Sequence, residues 1–180
     1  MSGLSPNFEA VVEEIHLLSC ISGLPCTGFR HEEVGASVFV TDSTDPQVLL
    51  EYTVPKDFCW IVSRISLATI PPVDDPTLTA GDWRSEYLDA IGDGKLWIVV
   101  NDKPKTITSA VYFILSNRPV LFLFNGGAKV QLVIQRLAAD PPPTERALIS
   151  VHSFLAPAKA YDRLAPFETQ VIATFVPTPP

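Results

Sequence analysis

The alternation of apolar and polar residues is clearest in the stretch 118–137. Two apolar runs, 120–124 and 130–134, flank the turn sequence Asn125-Gly126-Gly127. An Asn-Gly step between such runs is a strong short-range signal for a β-hairpin, because both residues tolerate positive φ. The sequence therefore predicts a hairpin with a structural turn at Asn125, Gly126 and Gly127.

The two runs of this stretch differ in pattern. The first has no polar residue, which is typical of a strand covered on both faces. In the second run apolar and polar positions alternate, which indicates one buried and one wetted face. Val133 interrupts the alternation and indicates that the second face is also partly covered. The alternating positions are Val130, Leu132 and Ile134 against Lys129, Gln131 and Gln135.

A helical period is present only near the N-terminus, over residues 6–18. Ser5 is a suitable N-cap, and Pro6 suits the first helical position. The apolar stripe leaves two interpretations open: the helix packs on its own domain, or it is an arm that lies on a neighbouring subunit. For the second interpretation, the predicted interface residues of the helix are Phe8, Val11, Val12 and Ile15.

The rest of the pattern is strands and turns. We predict eight or nine strands, which indicates an all-β antiparallel β-sandwich or barrel with a short N-terminal helix or arm. Residues 1–35 are assigned to the helix and a following loop, 36–176 to the β-domain, and 177–180 to a proline-rich tail. The predicted strands are 36–40, 47–54, 58–70, 95–100, 105–115, 120–124, 130–134, 146–155 and 167–176.

The longest stretch without a regular pattern is the excursion 71–92. Such a long connection is usually functional or hides a short element. Two interpretations stay open here too: its apolar residues form a satellite core, or they form a protruding contact surface, since Trp and Tyr are favoured interface anchors. The interface residues predicted in this excursion are Trp83, Tyr87, Leu88 and Ile91.

Composition and charge exclude several classes of partner. The net charge of −7 argues against nucleic acid, because phosphate binding needs a basic face. No apolar run approaches the ~18 residues of a membrane span, so no membrane contact is expected. Cys20, Cys26 and Cys59 are odd in number and form no CxxC pair. Cys59 lies inside an apolar run and is expected to be a small buried hydrophobe, and the first residues do not resemble a signal peptide. We therefore expect free thiols and folding in a reducing cytosol.

Candidate chemistry is sparse. His16, His31 and His152 lie in a predicted helix, loop and strand, and none belongs to an HxH or HxxxH pair. The sequence has no GxSxG elbow, P-loop or dinucleotide-binding glycine pattern. The expectation is a protein that binds and does not catalyse, with no catalytic residues, no metal and no cofactor.

Three segments carry a family resemblance: Tyr-Thr-Val-Pro-Lys-Asp-Phe at 52–58, the Gly-Asp-Gly-Lys-Leu-Trp-Ile-Val-Val-Asn-Asp strand at 92–102, and Phe-Leu-Phe-Asn-Gly-Gly at 122–127. Over about half of the chain this pattern resembles the jelly-roll decoration, or cement, proteins of tailed bacteriophage heads. Lys56-Asp57 stands where that pattern usually has Gly. The resemblance carries over no catalytic or ligand residues.

The resemblance implies a jelly-roll fold and a structural role in the virion. Such proteins are oligomers, often trimers, made in the host cytoplasm. They bind on the capsid surface where major capsid subunits meet. The expected partners are therefore a major capsid protein and copies of this chain. The alternative is a glycan-binding jelly roll of a phage tail or receptor-binding protein.

Overall fold

A computed structural model describes residues 6–40, 45–70, 95–109, 120–135 and 145–168. Within these residues lie one long and one short α-helix, eight β-strands and two short 3-10 turns, at Cys26–Gly28 and Ala165–Phe167. The helices and strands are α1 Pro6–Ser22, β1 Arg30–Val40, β2 Gln47–Thr53, β3 Phe58–Ile70, β4 Lys95–Val100, β5 Lys103–Ser109, β6 Phe122–Phe124, β7 Lys129–Gln135, β8 Glu145–Pro157 and α2 Ala160–Leu164.

The strands form two antiparallel sheets of four. In the first sheet the order is β1-β8-β3-β6, and in the second it is β2-β7-β4-β5. The first and last strands of the described chain are thus neighbours. The prediction of an all-β sandwich with a short N-terminal helix is confirmed at this level.

An inner core fills the space between the sheets, with side chains contributed by both. Trp60 is 2 % exposed and donates its indole N–H to Ser153 Oγ at 2.8 Å, which satisfies its polar atom inside the core. The main members from the strands are Leu50, Trp60, Val62, Ile65, Ile98, Phe122, Phe124, Val130, Leu132, Ile149, Val151 and Leu155. The alternation predicted for β7 is confirmed at Val130 and Leu132, which are buried in the inner core, whereas the side chains of residues 134–135 lie outside the described ones. Val133 is buried on the other face, where Val99 packs against it.

A β-bulge in β3 changes which of its residues face the core. The pairing with β8 shifts between Val62 and Arg64, so one residue of β3 is extra. Strict alternation would place Arg64 beside Val62 on the core face. Instead Ile65 is buried in the inner core and Arg64 is exposed, so its charge reaches solvent.

Helix α1 covers the outer face of the first sheet together with α2. This outer cluster is a second apolar layer, and its buried members are Leu18, Leu24, Phe29, Cys59, Ile61, Val120, Leu123, Phe154, Ala156, Ala160 and Leu164. Gly23 ends the helix with a φ of +64°, its N–H bonding Ser19 O at 2.9 Å. Arg163 of α2 donates to the free carbonyl of Ser22 at 2.9 Å. The predicted burial of Cys59 is confirmed, at 0 % exposure.

Three predictions about local structure are wrong. The helix continues to Ser22, and residues 30–35, predicted as loop, belong to β1. Residue 167 lies in a 3-10 turn rather than a strand. In the first two cases the tertiary contacts of Leu18 and Phe29 in the outer cluster extend elements whose local pattern is weak.

The hairpin prediction is also wrong, although the turn itself is present. β6 pairs with β3 in the first sheet, whereas β7 pairs with β2 and β4 in the second. The segment Asn125-Gly126-Gly127 therefore crosses between the sheets. An Asn-Gly step reports that the chain turns, but it does not determine which strands the flanking residues pair with. A two-residue turn with positive φ instead occurs at Asn101 (49°) and Asp102 (63°), between β4 and β5.

Several sequence predictions fall outside the described residues. These are the N-cap at Ser5, the excursion 71–92 with Trp83, Tyr87, Leu88 and Ile91, the strand residues beyond 109 and beyond 168, and the tail 177–180. Among the described helices, neither is long and apolar enough to cross a membrane.

Candidate functional site

Two imidazole rings meet on the outer face of the first sheet, where β1 pairs with β8. In this register Glu33 lies opposite His152, and His31 lies opposite Phe154. Because alternate residues of a strand share a face, all four side chains lie on the same side. The Nε2 atom of His31 is 3.0 Å from Nδ1 of His152, although the two residues are 121 positions apart in the chain.

Helix α1 supplies a carboxylate to this pair. Glu14 Oε2 accepts a hydrogen bond from Nε2 of His152 at 2.7 Å, and the Ser63 hydroxyl donates to the same oxygen at 3.4 Å. Ser63 lies on the helix side of the sheet because it follows Ile61 of the outer cluster by two residues, and alternate residues of a strand share a face. A neutral His152 that donates through Nε2 has a bare Nδ1, so the contact with His31 is satisfied when His31 donates its Nε2–H.

The surroundings of the imidazole pair shift the pKa of two groups, Glu14 and His31. Burial alone would raise the pKa of Glu14, but the hydrogen bond from His152 and the positive charges of His152 and Arg64 outweigh it and lower that pKa. For His31, burial followed by the charge of His152 lowers the pKa below its ordinary value. Both effects disfavour the charged imidazolium form of His31.

A third potential ligand and an apolar wall complete the cluster. Glu33 places Oε1 3.9 Å from Nδ1 of His152, and its side chain is 66 % exposed. One donor atom from each of His31, Glu33 and His152 lies within 4.8 Å of the others. The fully buried ring of Phe154 packs against both imidazoles, with centroids 5.5 and 5.4 Å away. This HHE cluster (His31, Glu33, His152) can share a proton or hold a cation at the edge of the protein.

Sequence reasoning missed the HHE cluster for a specific reason. Spacings such as HxH and HxxxH lie within a single segment, whereas the two histidines meet only because the first described strand pairs with the last. The prediction of a loop at residues 30–35 also gives no reason to place His31 and Glu33 on one face, which they share as residues of β1. An i, i+2 His/Glu pair on a strand at Arg30–Val40 was the signal available.

The predicted interface residues of α1 differ in how far they are exposed to solvent. Val11 and Ile15 are half-buried against the outer cluster of their own domain, and Val12 is half-buried. Phe8, in the first turn of the helix, is 50 % exposed. The inner half of the helix stripe thus serves the domain itself, and the assembly prediction depends on Phe8 and on the excursion that lies outside the described residues.

The predicted turn residues hold one end of the sandwich together. Asn125 O accepts from the N–H of Ala128 at 3.1 Å, and Gly127 has a φ of +79°, as in a type II turn. Gly127 N donates to Val54 O at 2.8 Å, and Val54 N donates to Ala128 O at 2.9 Å. These bonds lock the crossing segment to the connection between β2 and β3.

Comparison with known proteins identifies no relative: neither a protein-family model nor a curated protein sequence matches the chain. Its function therefore has to be argued from the fold and from the described side chains.

Proposed function

We propose that the chain is a jelly roll that serves as a virion structural protein, a capsid decoration or cement subunit. The observation that carries the proposal is the strand order. Strands one, eight, three and six form one sheet, and two, seven, four and five form the other. This order among the eight strands of the described residues, with the first of them paired to the last, supports two nested Greek keys, the arrangement of viral capsid jelly rolls.

The filled interior argues against a ligand site between the two sheets. Jelly rolls also occur in lectins and cupins, and a fold alone does not imply a function. A cupin holds its metal and substrate between the sheets. Here large side chains occupy that space, among them Trp60 (2 % exposed), Phe122 (2 %) and Phe124 (3 %). Among the described residues, the inner core therefore acts as a packed support for surface contacts.

The proposed partners are copies of this chain, in a homo-oligomer such as a trimer, and a major capsid protein on the capsid surface. An exposed aromatic ring at the start of α1 supports contact with a neighbour. Phe8 is 50 % exposed, and large apolar residues of this kind are the usual anchors of protein interfaces.

The first test is the mass of the purified protein by size-exclusion chromatography with light scattering, for the wild type and for Phe8→Ser. Leu17→Ser is the matched control, because Leu17 is a similarly exposed residue (44 %) of the same helix but was not predicted to be at the interface. We expect an oligomer that Phe8→Ser weakens and Leu17→Ser leaves intact, with unchanged melting temperatures.

The second test is the presence of the chain in density-purified particles from its source, detected by mass spectrometry. A protein that is monomeric at all concentrations and absent from particles would refute the proposal. Specific binding on a glycan array by such a monomer would favour the glycan-binding alternative.

A further inference from the structure

We propose that the HHE cluster is a binding site for a divalent transition-metal cation, zinc in the first instance, ligated by His31 Nε2, His152 Nδ1 and a carboxylate oxygen of Glu33. Glu14 is a positioning residue that holds His152. The inference rests on the geometry of the described residues and does not depend on the proposed role in a virion.

The distance between the imidazoles is the first argument. Ligand atoms at 2.0–2.2 Å from a tetrahedral zinc lie about 3.3–3.5 Å from one another. The two ring nitrogens are 3.0 Å apart, so a cation between them requires them to separate by only a few tenths of an ångström. Without a metal, the Nε2–H of His31 fills this gap as a hydrogen bond to Nδ1 of His152. A metal ion would take the place of that proton, and a neutral His31 would then carry its proton on Nδ1.

The third ligand is close and free to adjust. Glu33 Oε1 lies 3.9 Å from His152 Nδ1. Because the Glu33 side chain is two-thirds exposed, a rotamer change moves its carboxylate the remaining distance without disturbing packing. Three protein ligands at a surface-exposed position leave a fourth place for water, the pattern of an open zinc site.

The second argument is the hydrogen bond that fixes the tautomer and the orientation of His152. A metal-binding histidine almost always donates its other ring N–H to a carboxylate or carbonyl, which fixes both the tautomer and the orientation of the ring. Glu14 accepts this bond at 2.7 Å and is itself held by Ser63 at 3.4 Å. The arrangement leaves Nδ1 as the free ligand atom, directed at His31.

The ligand set selects the class of metal. Two imidazoles and one carboxylate favour zinc and its transition-metal neighbours, whereas calcium and magnesium prefer sets made wholly of oxygen. The bound ion would connect β1 to β8 and, through Glu14, both strands to α1. Since such an ion binds the folded state and not the separated strands, it would stabilise the fold by mass action.

The test is zinc titration of the untagged, chelator-treated protein by calorimetry, with thermal unfolding in parallel. We expect one site per chain, and a zinc-dependent rise in melting temperature that magnesium and calcium do not produce. His31→Gln should abolish both, and Glu33→Gln, at an exposed position, should weaken binding at least tenfold without unfolding the protein. His16→Gln is the matched control, since His16 lies on the exposed side of α1, outside the cluster.

The role of Glu14 is tested separately with cobalt, whose visible absorption reports its coordination. Glu14→Gln should lower metal affinity about 10–100-fold, the usual effect of losing such an outer partner. The visible spectrum of the saturated site should stay that of the wild type, because the three ligands remain. A variant that loses stability while its affinity is unchanged would show that Glu14 acts only in folding.

Two outcomes would overturn the proposal. One is zinc binding by the wild type that is no stronger than binding by His31→Gln. The other is binding that survives His31→Gln but disappears in His16→Gln, which would assign the ion to His16 and Cys26, whose Nδ1 and Sγ atoms are 3.7 Å apart.

Discussion

Replacing Gly126 by Ala should destabilise the protein strongly, because the added methyl group meets backbone. A Cβ at this position would lie 2.1 Å from Lys56 O, 2.7 Å from Lys56 C and 2.8 Å from Phe58 O. None of these atoms is the end of a flexible side chain, so the crossing segment has to move away from the connection between β2 and β3.

The size of the destabilisation follows from the packing and the hydrogen bonds that this movement disrupts. Overpacking costs about 1–3 kcal/mol. The two bonds that join Gly127 and Ala128 to Val54, at 2.8 and 2.9 Å, contribute about 1 kcal/mol each. Alanine recovers about 0.4–1 kcal/mol by restricting the unfolded chain. We therefore expect the free energy of unfolding to fall by about 2–4.5 kcal/mol, or the melting temperature by about 6–14 °C for a chain of this size.

The variant Gly126→Asn distinguishes this steric explanation from the hairpin prediction. If Gly126 were the positive-φ residue of a hairpin turn, Gly126→Asn would be tolerated, since Asn adopts that conformation readily. In the structure the obstacle is the Cβ itself, so Gly126→Asn should be as damaging as Gly126→Ala. At Gly127, with φ of +79° and no atom nearer than 4.0 Å to a Cβ, Asn should cost less than about 1 kcal/mol.

The assay is urea unfolding followed by circular dichroism. Gly28→Ala is the control, because its Cβ would meet only Pro157 side-chain atoms at 3.6 and 3.7 Å, an ordinary contact. A Gly126→Asn variant within 0.5 kcal/mol of the wild type would refute the close backbone approach.

Four further expectations follow from the packing. Leu18→Ala should lower the free energy of unfolding by about 2–5 kcal/mol in a urea titration, because Leu18 is 0 % exposed in the outer cluster; a loss below 1 kcal/mol would show that α1 is a dispensable arm. Ser153→Ala should cost about 1–3 kcal/mol by the same measurement, since it leaves the buried indole N–H of Trp60 without its acceptor, and an unchanged midpoint would contradict that bond. A thiol reagent should label Cys20 in the native state and Cys59 only after unfolding, as mass spectrometry of the labelled peptides would show. Burial raises the pKa of the Cys59 thiol to about 11 from an ordinary 9.0; its contribution to stability is therefore complete below pH 9 and is lost as the pH rises towards 11, and a Cys59→Ala variant should lack that loss.

The local sequence pattern was sufficient to predict where most of the described strands lie and, for some of them, which face is buried. β7 illustrates this: Val130 and Leu132 face the inner core, and Gln131 faces solvent, as the alternation predicts. Burial of alternate residues is a local property of a strand, because successive side chains point to opposite faces whatever the strand pairs with. The turn at Asn125 was predictable for the same reason, since turn preference resides in the residues that make it.

Only the tertiary structure decided which strands are neighbours. The sequence does not show that β6 and β7 belong to different sheets, that the bulge after Val62 directs Ile65 inward, or that His31 meets His152. Each of these depends on contacts between segments far apart in the chain. The free energies of such contacts cannot be inferred from any one segment alone. Even Gly126 was required for a non-local reason, because the backbone it approaches belongs to Lys56 and Phe58, about 70 residues earlier. The sequence thus determined the elements and many of their apolar faces, and the pairing of distant strands created the candidate site.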